Sequence, residues 1–415
     1  MLIKIPYDGA EVEVRCPDGA SLLEAPKPSI LGDDILREKI VSGIAKYIGL
    51  SSPRKIGIVI NDATRRLPTP KILKIISEVI PTSESTILIA TGTHRAPSDE
   101  EFDIMMGEMR DSYDNRIVVH DCRDRDALVK LGVTSRGTPV EINRALMKCD
   151  RIITINSIEP HFFAGFTGGR KSIIPGLASL ETTVANHSHA KDENACSLSL
   201  RKNPVHLDLE EAVNLFDKNV IFSIQLITSR DGEAAAVFCG DLDSSFSDAC
   251  RKAGELFSVG IENKYNIVLA IGEPPLDINL YQLQKGQEHG AEAVADGGIL
   301  IVVGACNEGT GSEYFMKLAD EYPTPDSVLS SKAMNDNRFG MHKLVKTARR
   351  LRAIKIWYVT KLDDKSVRKV YFEPQSSVQA ALDEAIKILG PNASVAILRD
   401  ACFVVPTIYA YEGGS

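Results

Sequence analysis

Long apolar runs, basic stripes and paired cysteines are all missing from this chain, and each absence removes a class of function. The longest apolar runs, such as Ile299–Val303, fall far short of the roughly twenty residues that cross a bilayer, so no membrane span is expected. No Lys/Arg-rich run occurs and the formal net charge is −8, which leaves no electrostatic footprint for nucleic acid. None of the eight cysteines sits in a C-x-x-C pair, which excludes a zinc ribbon or a disulfide scaffold. Mostly buried, reduced thiols are expected instead. The opening "MLIKIPYDGAEVEV" alternates like a strand and lacks the apolar block of a signal peptide, so a cytoplasmic location is expected. Low-complexity segments and short repeats are absent too. What remains is an ordinary globular composition, 44% hydrophobic and 25% charged over 415 residues, enough for two or three domains.

The apolar pattern is that of an α/β protein. Two alternating runs, Leu2–Pro6 and Glu11–Arg15, flank a "DG" turn and read as a hairpin. "APKPS" at 25–29 reads as a loop. "KIGIVIND" then forms a buried strand, "PTPKILKIISEVI" from Pro68 an amphipathic helix, and "STILIA" the next strand. "RIVVHD" and "DRIITINS" follow as strands. The pattern restarts near residue 264 with the strand "YNIVLAI", a helix over Leu280–Asp296, and the strands "GGILIVV", "AIKIWYV" and "ASVAILRD". Such alternation predicts parallel sheets with helices on both faces. The expected organisation is an N-terminal α/β domain over 1–260, a second over 261–398, and a tail over 399–415.

Ligands of open α/β sheets bind outside the carboxyl ends of the strands. Five strand exits here carry polar or glycine-rich groups: "NDATRR", "TGTHR", "SIEPH", "GEPPLDIN" and "NEGTG". A cleft between the two halves can receive them all.

The segment "EPHFFAGFTGGRKSIIPG", Glu159–Gly176, almost spells a phosphate-binding P-loop. The P-loop pattern G-x-x-x-x-G-K-[ST], counted from Gly165, needs a glycine at 170. Arg170 stands there, and the glycines have slipped back to Gly168 and Gly169. They let backbone approach a ligand closely, and "KSII" reads as a helix start whose free N–H groups attract an anion. Lys171 fits either a covalent anchor for a cofactor or a solvated residue on a surface turn. His94 in "TGTHRAPSDEE" and His161 in "EPHFFAG" sit on separate strand exits and can serve as acid and base, or can simply pack in their loops. Ser98 is the expected cap of the helix after His94. His187 and His189 form an H-x-H pair with no carboxylate or cysteine to complete a metal set. Arg65 suits a carboxylate, with Asp62 three residues earlier placed to orient it. Gln282 and Lys285 share one helix face. His120, His206, His289 and His342 carry no assignment.

Together, "DATR" (Asp62–Arg65), "GTHR" (Gly92–Arg95), the Glu159–Gly176 segment, "ANH" (Ala185–His187) and "YQLQKG" (Tyr281–Gly286) resemble the nickel-pincer-dependent lactate racemases and their 2-hydroxy-acid racemase and epimerase relatives. The resemblance runs over most of the chain. It implies two α/β domains with the active site between them and a C-terminal tail returning to the first. It also implies a nickel-pincer nucleotide, a pyridinium-3-thioamide-5-thiocarboxylic acid mononucleotide, joined to Lys171. Gly168, Gly169 and Ser172 then hold its phosphate, with Asp62 grouped beside them, and His187 is the protein's nickel ligand. His94 and His161 become the catalytic pair, and Arg65, Gln282 and Lys285 bind a small 2-hydroxy acid. In the family's scheme one histidine takes the hydroxyl proton while hydride leaves C2, and the other serves the opposite face. Maturation then requires cofactor-biosynthesis proteins. Arg170 and Arg66 depart from the family pattern, and extra positive charge near the cleft suits a longer or more anionic acid. Competing readings are an ATP-dependent phosphotransferase and a non-catalytic cofactor-binding homologue.

Overall fold

The structure is a computed structural model that describes residues 1–48, 55–65, 67–113 and 115–408, without the side chain of residue 48. Arg66 and residues 409–415 of the expected tail lie outside the described residues.

Two six-stranded sheets organise the described chain. The first runs Ala234–Asp241, Ile221–Thr228, Arg151–Ser157, Ile56–Asn61, Ser85–Ala90, Ile117–Val119. All neighbours are parallel except the edge strand Ala234–Asp241. The second runs Glu373–Pro374, Lys355–Val359, Val294–Val303, Tyr265–Ile271, Val395–Leu398, Ser21–Leu23, and is parallel throughout. Continuous β-branched runs explain both sheets, because a strand covered on two faces needs apolar side chains at every position. In "IGIVIN", Ile56, Ile58 and Ile60 join the core on one face while Val59 joins the other. In "YNIVLAI", Val268 and Ala270 face one layer and Ile267, Leu269 and Ile271 the opposite one.

The chain's first residues lie with the second sheet. The hairpin Leu2–Tyr7/Ala10–Arg15 forms as its alternation predicts. Its apolar side chains, Ile5 and Val14, pack into the core beneath Ile267 and Leu269. Strand Ser21–Leu23 adds to that sheet beside Val395–Leu398. Part of the expected 1–260 unit therefore pairs with the 261–398 unit. Near the C-terminus, Val405–Ile408 pairs in parallel with Ser258–Ile261 at the junction of the halves.

The helix expected over Leu280–Asp296 stops at Glu292. Val294 already pairs with Tyr265, and the strand bulges before resuming at Ile299 opposite Ile267. The tertiary pairing takes these residues from the helix because the sheet offers their backbone groups partners. The described residues contain no helix long and apolar enough to cross a membrane.

Candidate active site

Loops at the carboxyl ends of three neighbouring strands of the first sheet build one wall of a cleft. After Ile56–Asn61 the chain turns through Asp62, whose Oδ1 accepts from the Thr64 hydroxyl (2.6 Å) and backbone N–H (3.2 Å). Its Oδ2 lies 2.6 Å from Nδ1 of His94, which follows Ser85–Ala90. The imidazole is 51% exposed toward the cleft and the carboxylate only 10%, so the acid is a buried bracket for an open ring. Burial raises the Asp62 pKa, but the bonds from His94 and Thr64 outweigh it and hold the group below its ordinary value. The expectation that Asp62 orients Arg65 is thereby corrected. The Arg65 side chain instead pairs with Glu159 at 3.0 Å. Ser98 caps the helix that follows His94 as expected, and Glu101 completes a capping box with it.

After Arg151–Ser157, a two-residue antiparallel ladder pairs Pro160 with Phe166 and His161 with Gly165. Thr167 locks it, its hydroxyl bonded to Ser157 O at 2.7 Å and its N–H to Glu159 O at 2.8 Å. His161 stacks on Phe162 (5.3 Å between centroids) and meets Phe163 edge-on (4.4 Å). Its Nδ1 accepts the Ala164 N–H at 3.3 Å. Burial first, then the cations Lys171, Lys285 and Arg65, push its pKa well below the ordinary histidine value.

The glycines behave as backbone devices. Gly168 and Gly169 have φ of +77° and +54°, and added Cβ atoms would fall 2.2 Å from Ile158 and 2.4 Å from Phe246. No α-helix starts at Lys171, contrary to the reading of "KSII". A 3₁₀ turn spans Gly169–Ser172, and the next α-helix begins at Leu180. The reason is local: the Gly169 N–H donates to Gln225 Oε1 (3.2 Å) and the Ser172 hydroxyl to Asn156, so the turn's polar groups anchor to the sheet rather than to a helix. Lys171 points into the cleft with Nζ 5.5 Å from the centre of the Phe163 ring. Burial, with Arg65 and Lys285 adding repulsion, brings its amine down to about 7. Arg170 faces the other way. It pairs with Glu210 (3.1 Å) and Asp243 and lies over Phe246, so its charge is neutralised outside the cavity. The expected addition of positive charge to the cleft is corrected for this residue.

His187 lies on the helix Leu180–Ser188, capped by Ser179, which accepts the Thr182 N–H at 3.1 Å. Its Nδ1 is buried without a hydrogen-bond partner. Burial and then Lys171 lower its pKa to about 3, which keeps the imidazole neutral. His189 leaves the cleft, 3.2 Å from the Thr138 hydroxyl and 3.8 Å from Asp208.

The second sheet supplies the facing wall. Asn279 caps the helix Leu280–Glu292 by accepting the Gln282 N–H at 2.9 Å, and that helix presents Tyr281, Gln282 and Lys285. Burial leads in lowering Lys285 to about 8. Two residues without a sequence assignment join them. His342 and Lys343 enter from the helix Met341–Arg350. His342 is buried with Nε2 unpartnered, its ring 6.0 Å from that of His187. Lys343 donates to Tyr281 O at 2.6 Å and sits 3.9 Å from that ring's centre. The only sequence hint was a histidine and lysines set in a helix whose buried face includes Leu344 and Val345.

The groups that face the cleft line one open pocket between the two walls. Asp62, Arg65, His94, His161, Gly168, Lys171, Ser172, His187, Gln282 and Lys285 are all on its wall. Of the expected site residues only Gly169 is not, and it serves the turn beneath. Among the described residues no three His, Cys, Asp or Glu side chains converge on a metal-sized site.

Two mostly parallel sheets around a cation-rich cleft, with polar groups at the strand exits, define an α/β architecture whose ligand site lies at the carboxyl ends of the strands. The chain belongs to the lactate racemase family. Residues 35–197 match the lactate racemase N-terminal domain and residues 262–405 the lactate racemase C-terminal domain. It is 29% identical to the lactate racemase of Thermoanaerobacterium thermosaccharolyticum, over 97% of this chain and 98% of that one. It is 31% identical to the lactate racemase of Lactiplantibacillus plantarum, over 84% of each. The solved apoprotein of the Thermoanaerobacterium enzyme superposes with a TM-score of 0.88 at 27% identity, covering 98% of this chain and all of that one. A Thermotoga maritima protein of known structure, 18% identical with a TM-score of 0.71 over 93% of this chain and all of that one, shares the fold.

Proposed function

We propose that this chain interconverts the configurations at C2 of a 2-hydroxy acid, lactate or a related acid, using a nickel-pincer nucleotide joined to Lys171. The observation that carries the reading is one cleft lined by a buried lysine, four histidines and an arginine. The named relatives, both lactate racemases, point the same way.

The residues fit the group. An amine brought to about 7 is about half free base near neutrality and suited to an acyl-type linkage. His187 offers a buried imidazole kept neutral, the form that binds metal. Among the described residues no group of three His, Cys, Asp or Glu side chains converges there, so a metal at His187 would take its other ligands from the organic group. Once bound, the group supplies a reversible hydride acceptor for C2, whose hydrogen is too weakly acidic to leave as a proton.

The chain's own side chains do the rest. Arg65 and Lys285 face the cavity as partners for the substrate carboxylate, with Gln282 as a further donor. Glu159 occupies one Arg65 nitrogen at 3.0 Å and steadies the guanidinium. His94, braced by Asp62, receives the hydroxyl proton. Phe162, Phe163, Phe339 and Tyr281 line the cavity and exclude water from the reacting carbon. The phosphotransferase reading loses its physical basis, since Lys171 starts no α-helix and Arg170 points away.

The test is protein matured with the cofactor-biosynthesis enzymes, measured for intact mass, nickel and racemisation of a panel of lactate, malate and sugar acids. The expected result is a nucleotide-sized adduct, bound nickel and racemisation of one class. Protein carrying both adduct and nickel yet inert toward every 2-hydroxy acid would refute the proposal.

A further inference from the structure

We infer that Lys191 is a positioning residue of the active site, whose ammonium fastens residues 334–342 of the lobe built on the second sheet and so holds Phe339 and His342 beside His187. The fastening stands on hydrogen bonds alone; its consequence for turnover rests on the racemase reading.

Lys191 ends the short 3₁₀ turn His189–Lys191, directly after the helix that carries His187. It is buried, which for a lysine is unfavourable unless its donors are satisfied. An ammonium has three N–H donors. Here three oxygens of the second lobe meet it: Met334 O and Asn337 Oδ1, each at 2.7 Å, and Asp336 O at 3.2 Å. All three are neutral oxygens, so they form a cradle for one cation. The Lys191 carbonyl is held as well, accepting from Arg349 in the last turn of the helix Met341–Arg350. The two grips fall on either side of Phe339 and His342 in the chain.

The fastened segment is braced within its own lobe. Arg338 bonds Asp336 at 3.0 Å and Glu321 at 2.8 Å, and the Tyr322 hydroxyl donates to Asp336 at 3.1 Å. Its placement by Lys191 is therefore passed on to the residues that follow. The Phe339 ring lies 6.3 Å from both the His187 and the Tyr281 rings, inclined at 29° and 23° to them. The His342 ring lies 6.0 Å from that of His187. Lys191 stands behind this wall, in a crevice shared with His187, Phe339 and His342 and outside the cleft itself. It acts through those rings and not on the substrate. Lys171 and His187 belong to the first lobe, whereas Phe339, His342, Gln282 and Lys285 belong to the second. Removing the ammonium leaves the first set in place and loosens the second, which admits water to the reacting carbon.

The test is hydrogen exchange of the full chain without cofactor, read by peptide mass spectrometry for wild type, Lys191→Met and Asn337→Ala. Lys191→Met keeps the stem and removes the three donors, and Asn337→Ala removes one acceptor. Amides of 334–342 should exchange at least about tenfold faster in Lys191→Met and by a smaller factor in Asn337→Ala. Peptides of the strand Ile56–Asn61 should be unchanged and report an intact fold. Unchanged exchange over 334–342 in Lys191→Met would overturn the inference. Should exchange rise throughout that variant, Asn337→Ala decides alone, and no change there would overturn it. In matured enzyme, Lys191→Met should keep the adduct and nickel and lose about tenfold or more in kcat/KM. Asn337→Ala added to Lys191→Met should cost little further, since both act through one cradle. Fully additive losses, or undiminished turnover in Lys191→Met, would overturn the positioning role. The predicted exchange in a wild-type chain that, once matured, racemises nothing would refute the functional reading alone.

Discussion

Asp62 and His94 stand on the exits of adjacent parallel strands and meet at 2.6 Å, the buried carboxylate holding an imidazole that opens to the cleft. Strand register makes this contact: Asn61 pairs with Ala90, so the two exit loops leave the sheet at the same level. The pair holds Nδ1 of His94 against a carboxylate and leaves the rest of the ring open to the cleft.

Asp62→Asn keeps the shape of the bracket and removes its charge. We expect kcat/KM of the matured enzyme to fall by about 10²-fold or more, because His94 loses both its fixed tautomer and its counter-charge. The Asp62 pKa is lowered in the fold, so its ionised form stabilises the protein above the ordinary carboxylate value of about 3.9. That contribution is lost as pH falls through the folded pKa. Thermal melts of wild type and Asp62→Asn should therefore converge in acid.

Lys171 should be unusually reactive in protein lacking the cofactor, since its amine is brought to about 7. Limiting acetylating reagent at neutral pH should modify Lys171 ahead of surface lysines such as Lys317, as read by peptide mass spectrometry. In matured protein, Lys171→Ala should abolish the mass adduct. An adduct persisting in that variant would move the attachment point elsewhere.

Nickel should depend on His187 and not on His189. His187→Ala should keep the organic adduct and lose the metal. His189→Ala should keep both, with about 1 kcal/mol of stability lost from its contacts with Thr138 and Asp208. Metal analysis and thermal melts of the two variants separate these outcomes.

Asp400 offers a test at the junction of the lobes. Burial lifts its pKa to about 6 against the pull of Arg230, 2.9 Å away, with Glu273 adding repulsion. An acid with a raised folded pKa stabilises the fold when protonated, fully below its unfolded value near 3.9, and loses that contribution as pH rises through about 6. Asp400→Asn should therefore gain about 1–3 kcal/mol over wild type above pH 7, with the gain shrinking toward pH 4. A variant less stable than wild type at pH 8 would show that the Arg230 pair outweighs the cost of burial.

Much of this protein was legible before any coordinates. Unbroken β-branched runs such as "IGIVI" and "YNIVLAI" fit strands buried on both faces, and polar exits after them mark the end of the sheet where ligands bind. Local chemistry also read true at Ser98, where a hydroxyl and a glutamate three residues on close a capping box. These features depend on neighbours within a few residues, which a sequence displays directly.

Only the tertiary structure decided the relations between distant segments. It gave Asp62 to His94 and Glu159 to Arg65. It turned Arg170 toward Glu210 and Asp243, started no helix at Lys171, and seated the N-terminal hairpin under the second sheet. It brought His342 and Lys343 into the cavity from a helix whose spacing had announced nothing. The physical reason is common to all of them. A side chain's periodicity states which face it occupies, whereas its partner, its tautomer and its pKa are set by burial and by charges from strands and helices far away in the chain.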